Sequence, residues 1–186
     1  MNAQISSPVI IMGPPGAGKS STARALAELI EGEVIDTDLL IEEANGKRIP
    51  DIFAEDGEPF FREQEELAVE RALRTETMRI KIISLGGGAI LSSTTRARLK
   101  ASGGTLIFLN VSIAHAAPRI GFNRDRPLLV DNPRAKWVSL MKERLPLYEG
   151  LADFSINTDE KSAREVAHEI AKGILTENSI ESEIRP

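Results

Sequence analysis

An α/β fold with a mostly parallel sheet is predicted by three features of this chain. Five short apolar runs recur along it: PVIIMG from residue 8, EVIDTD from 33, IKIISLGGG from 80, GTLIFLN from 104 and DFSINT from 153. Each is about strand length, and several are continuously apolar, as strands covered on both faces are. Helix-period segments lie between them, and strands that alternate with helices imply βαβ units. Over 186 residues there is no internal repeat, no low-complexity tract and no Pro/Gly/Ser linker. One domain over 1–176 is expected.

The first run, VIIM, reads as a strand, and GPPGAGKS follows it from Gly13 to Ser20. Ala23, Leu26, Ala27 and Ile30 then share one face, the mark of a helix. GPPGAGKS matches G-x-x-x-x-G-K-[ST] in the strand-then-helix context that this phosphate-binding pattern requires. Gly13, Gly16 and Gly18 allow backbone angles and close approach that a Cβ would block, so N–H groups through Ala17 can turn toward a phosphate. The helix N-terminus adds partial positive charge. Lys19 is placed to reach the β- and γ-phosphates of ATP, and the Ser20 hydroxyl to ligate Mg²⁺, with Ser21 the weaker candidate.

The second run ends in Asp36 and Asp38, two residues apart and on one side while the backbone stays extended. At the C-terminal end of a parallel strand they lie where ligands of open sheets bind. One carboxylate could serve Mg²⁺ through water and the other a substrate hydroxyl. Equally, Asp38 before LLIEEA could be a helix N-cap. In FFREQEE, Arg62 and Glu65 are at i, i+3, the spacing of a surface ion pair on a helix. SLGGGAIL closes the third strand with Gly86, Gly87 and Gly88, which form either a turn or a bare wall for a ring.

After GTLIFLN, the stretch NRDRPLLVDNPR (123–134) suits a mobile surface loop of a length that is often functional. Trp137 reads as a packing residue on the helix beyond it. Ala163, Val166, Ala167 and Ile170 define the last helix, and ENSIESEIRP (177–186) reads as a flexible tail.

Composition restricts the partners. A formal net charge of −5 argues against coating nucleic acid or an anionic membrane, so an anionic ligand must be held by local arginines. There is no cysteine, which rules out disulfides and thiolate metal sites, and His115 and His168 are far apart. No basic n-region precedes an apolar run and no 18-residue apolar window occurs, so a soluble cytoplasmic protein is expected.

Taken in order, GPPGAGKS, DTD, FREQE, GGG, RPLL, RLPLY and INTD resemble shikimate kinase over nearly the whole chain. The resemblance implies a three-layer α/β/α P-loop kinase fold with a five-stranded parallel sheet ordered 2-3-1-4-5. It implies transfer of a phosphoryl group from ATP to the 3-hydroxyl of shikimate, with Mg²⁺, by a monomer. The substrate-binding part would span about 37–65 and the lid about 119–133. Asp36 is then assigned to Mg²⁺ and Asp38 to the substrate hydroxyls. Arg62 and Arg144 are assigned to the substrate carboxylate, Glu65 to orienting Arg62, and Gly86 to Gly88 to the ring. Phe53 and Phe61 flank the substrate or simply pack. Arg126 is the lid arginine, Arg119 stacks on adenine, and Asn157 and Thr158 form the far side of the adenine pocket. Rival readings are a gluconate or nucleoside monophosphate kinase of the same architecture, or an ATP-sensing module without transfer.

Overall fold

The computed structural model describes residues 7–120 and 132–184. Its elements follow the chain as β1 (Val9–Met12), α1 (Lys19–Ile30), β2 (Glu33–Asp36), α2 (Thr37–Asn45), α3 (Ile49–Glu55), α4 (Gly57–Arg74) and β3 (Lys81–Ser84). A 3₁₀ turn (Ala89–Leu91) leads to α5 (Ser93–Ala101), β4 (Thr105–Asn110), α6 (Ile113–Ile120), α7 (Pro133–Leu151), β5 (Phe154–Asn157) and α8 (Ala163–Ile184). All four strand pairings are parallel, and the sheet order is β2-β3-β1-β4-β5, as expected. Each of the five apolar runs supplies one strand.

Alternation along the central strands builds two cores. Val9 and Ile11 of β1 and Ile107 and Leu109 of β4 face α1, α6 and α8, where Ala23, Leu26, Val166, Ala167 and Ile170 are buried. Ile10 and Met12, with Leu106 and Phe108, face the other way onto α4, α5 and α7, against Val69, Leu99, Tyr148 and Leu151. Burying each such side chain is worth about 1.5–3 kcal/mol. A smaller cluster of Ile41, Ile52, Phe61 and Ala68 joins α2, α3 and α4 at one edge.

Local signals set the element ends. The backbone turns helical at once after β2, so Asp38 is in the first turn of α2 and Asp36 is its N-cap, accepting from Asp38 N at 3.0 Å. This corrects the expectation that Asp36 and Asp38 lie along one extended segment. At the ends of the 119–133 segment, Arg119 and Ile120 belong to α6 and Pro133 begins α7. Arg126, with the rest of 121–131, lies outside the described residues. The α8 backbone continues helical to Ile184, through most of the stretch read as a tail.

Candidate active site

The C-terminal ends of β1, β2 and β3 bring Ser20, Asp36, Asp38 and Gly86 together. The register places Ile11 and Asp36 beside Ser84. Loop 13–18 then crosses from β1 to α1. Gly13 must be glycine, because a Cβ there would meet the Leu109 carbonyl oxygen at 2.5 Å. Gly16 has φ +87° and closes against Ala116, whose Cβ would be 3.0 Å away. Gly18 caps α1 with no side-chain bond, and the first turn of α1 holds no acidic residue. Those first-turn N–H groups face the loop with no side-chain cap, the arrangement that suits an anion. Lys19 Nζ folds back to Pro14 O at 3.2 Å. Ala17 is buried and Ser21 is exposed.

Ser20 Oγ donates to Asp36 Oδ2 at 2.6 Å and lies 3.4 Å from Ser84 Oγ. A hydroxyl and a carboxylate that already converge are hard oxygen donors. Among the described residues no group of three or more His, Cys, Asp or Glu gathers as a metal cage. This donor set fits Mg²⁺, which is usually held by one or two protein oxygens together with phosphates and water.

The acceptor side is built around Gly86 to Gly88. Thr37, fully buried, receives a bond from Gly86 N at 2.8 Å and donates to Ser84 O at 3.4 Å, pinning the end of β3 to the start of α2. The space beside Gly86 is bordered by Asp38 Oδ1 and Glu65 Oε1, and a Cβ on Gly88 would overlap the Arg62 guanidinium. Arg62 Nη1 donates to Glu65 Oε2 at 2.6 Å, and Nη2 to the half-exposed Glu58 at 2.9 Å. Glu65 is only 3% exposed, so this is no surface ion pair. Burial pushes the Glu65 carboxyl above the usual range, partly offset by Arg62 and then Arg144. Arg62 in turn is raised by Glu65, against the opposing effect of its own burial.

Arg144 is 4% exposed; its Nη1 donates to Gly87 O at 2.9 Å, and its Nε has no hydrogen-bond partner among the described residues. Tyr148 Oη donates to the same carbonyl at 2.6 Å. The two halves adjoin here, since a Cβ added to Gly87 would stand 3.3 Å from the Pro15 ring of the phosphate loop. Phe61 is buried and packs on Phe53 with ring centroids 4.5 Å apart. Arg119 is exposed and donates to Gly16 O at 3.0 Å. Asn157 accepts from Asp159 N at 2.7 Å, and the buried Thr158 donates to Asn110 O at 3.1 Å.

Sequence reasoning missed Thr37, Ser84, Trp137 and Tyr148 as parts of this framework. Thr37 was in view as the middle of DTD and Tyr148 as the end of RLPLY. Their partners are backbone atoms distant in sequence, which no local pattern reveals. An open groove of about 1260 Å³ between the C-terminal end of α4 and the start of β3 lies at the opposite end of the strands. That is the end where open parallel sheets do not bind ligands.

Comparison with known proteins points to one family. A family model described as shikimate kinase matches residues 15–175. A shikimate kinase of Rhodococcus erythropolis is 47% identical over 165 residues, covering 88% of this chain and 95% of its own. One from Thermobifida fusca is 45% identical over 163 residues, covering 88% and 92%. The solved structure of a shikimate kinase from Acinetobacter baumannii in complex with shikimate superposes with a TM-score of 0.86 at 35% identity, over 92% of this chain and 95% of that one.

Proposed function

This chain belongs to the shikimate kinase family, and from that premise we propose how its residues divide the work of phosphorylating shikimate. The reaction passes the γ-phosphoryl group of ATP to shikimate and releases ADP, a step of aromatic biosynthesis. The observation that carries the division of labour is the closeness of Gly87 to the phosphate loop, where a single added Cβ would already reach Pro15 Cδ at 3.3 Å. It sets a phosphate loop beside a pocket bordered by Asp38, Glu65 and Arg62.

On the donor side, Gly13 to Ser21 would receive the ATP phosphates, with Lys19 on the β- and γ-groups. Ser20 and Asp36 would hold Mg²⁺, which supplies positive charge against the phosphate oxygens when bound. Arg119, Asn157 and Thr158 would border adenine. On the acceptor side, Arg62 and Arg144 would bind the substrate carboxylate, because a planar guanidinium fixes direction as well as charge. Glu65 orients Arg62, while Phe53, Phe61 and Gly86 to Gly88 shape the ring pocket.

Asp38 would hold the 3-hydroxyl in line with the γ-phosphorus. As the new O–P bond forms, the bond to the β,γ-bridging oxygen breaks, ADP leaves with the electron pair, and the hydroxyl proton passes late to Asp38. Positioning and charge stabilisation carry most of the rate in such transfers. Arg126 would approach the transferred group from the lid and help exclude water. We read the working unit as a monomer, to be checked by sedimentation. Among the described residues no helix is long and apolar enough to cross a membrane.

ADP release with shikimate, gluconate, each nucleoside monophosphate or water as the acceptor tests this reading. Turnover with shikimate alone is expected; preference for gluconate would overturn the acceptor assignment, and no turnover with any would favour a sensor. Two substitutions separate the roles. Arg126→Ala should lower kcat by orders of magnitude with a smaller effect on shikimate KM, because its contact is made mainly in the transition state. Arg144→Ala should weaken shikimate binding in a titration while ATP binding stays near normal.

A further inference from the structure

Trp137, the single tryptophan of the chain, is 4% exposed and packs in the core that backs α1. Packing alone leaves one feature unexplained. Its indole Nε1–H donates to Pro15 O at 2.8 Å, reaching the phosphate loop across 122 positions. On the next residue, Gly16 O accepts from Arg119 at 3.0 Å, and Ala116 fills the space beside Gly16. Two successive carbonyls of the loop are therefore held from outside by side chains of α6 and α7.

A trans peptide is planar, so its carbonyl and the following N–H point in opposite directions. Anchoring Pro15 O thereby sets the direction of Gly16 N–H. Gly16 sits at φ +87° with no side chain to restrict it, so holding its backbone in one orientation loses more freedom than at any other residue type. Pro15 has no N–H and cannot add a backbone donor bond of its own. We infer that Trp137 is a positioning residue for the donor reaction: its N–H presets the Pro15–Gly16 peptide to receive the nucleotide phosphates.

Trp137→Phe keeps an aromatic ring and removes the donor. A second variant isolates the N–H more closely. Because there is only one tryptophan, β-(3-benzothienyl)alanine can be placed at 137 alone, with sulfur in place of N–H and nearly the same shape. Both variants should raise the ATP KM and the MgADP dissociation constant on the order of 2–10-fold, the size of one lost hydrogen bond. Shikimate KM should stay within about twofold, a split that a general loss of packing would not give.

The inference rests on the donor-loop assignment proposed above, and the two fail separately. If the unsubstituted protein does not bind MgADP, that assignment falls. If the benzothienyl protein binds MgADP as tightly as the unsubstituted one, only the role of Trp137 falls. Should Trp137→Phe not fold, the isosteric variant decides alone.

Discussion

A methyl group on Gly86 would stand 2.6 Å from Asp38 Oδ1 and 2.8 Å from Glu65 Oε1, closer than any real Cβ contact. Glu65 cannot retreat cheaply, since it is buried and paired with Arg62. Gly86→Ala should therefore raise shikimate KM more than tenfold while ATP KM changes little, and a normal shikimate KM would remove these carboxylates from the pocket. Glu65 adds a pH dependence. Its folded-state pKa lies above the ordinary value of about 4.3. The folded protein thus takes up this proton more readily than the unfolded chain. The stability contributed by Glu65 is full below the unfolded value and is lost as pH rises through the folded one. Binding runs the other way, because protonation neutralises the anion that orients Arg62. Shikimate KM should rise on acidification from above pH ~4.3, and Glu65→Gln should show a higher KM throughout without that limb. An identical limb in both proteins would exclude Glu65. At this scale the residue types were legible, in DTD, FREQE and GGG, but not their environment. Arg62 and Glu65 have the spacing of an ordinary surface pair, and only the fold buries one of them.

Helix α7 shows what an element adds to its motifs. Asn132, at φ 54°, caps it through a bond from Ala135 N, and Pro133 occupies its first turn. Trp137, Arg144 and Tyr148 are spaced i, i+7, i+11 and so share one stripe. The stripe reaches both halves of the site: Trp137 binds Pro15 O, and Arg144 and Tyr148 both bind Gly87 O. Tyr148 is fully buried, and burial holds its hydroxyl protonated well above neutrality, so it stays a donor. Tyr148→Phe leaves Gly87 O with Arg144 alone. Stability should fall by about 1 kcal/mol, the low end for a buried acceptor that keeps one partner. Shikimate KM should rise severalfold with ATP KM nearly unchanged, to be read from urea melts and initial rates. Should both KM values move together, α7 acts on the site as one unit and Gly87 is not the point of contact. RLPLY made Arg144 readable in the sequence. Tyr148 was not, because its partner is a carbonyl 61 positions away.

For the whole molecule, the sheet was the most legible feature, because five short apolar runs recur and the continuously apolar ones among them can be covered only between two helical layers. The strand order came with the family resemblance. Periodicity did not foretell that the core on one face of the sheet would back the phosphate loop and the core on the other would hold Tyr148, which binds Gly87 O. Neighbouring residues of β4 make that division testable. Ile107, fully buried, belongs to the core that contains Ala17, Ala116 and Trp137, all of which touch or form the phosphate loop. Phe108, 1% exposed, points the other way and stacks on Tyr148 with centroids 5.0 Å apart and 9° between the rings. Large-to-alanine changes at such sites cost about 2–5 kcal/mol for isoleucine and 3–5 for phenylalanine. Either loss is a large share of the roughly 5–15 kcal/mol that holds a domain folded. Ile107→Ala and Phe108→Ala should therefore both melt early in urea, by comparable amounts. Their kinetic effects should separate: Ile107→Ala raises mainly the ATP KM, through the loop and its props. Phe108→Ala raises mainly the shikimate KM, through Tyr148 and Gly87. If both variants raised the two KM values in the same ratio, the damage would be general softening, and the assignment of one core face to each substrate would be wrong.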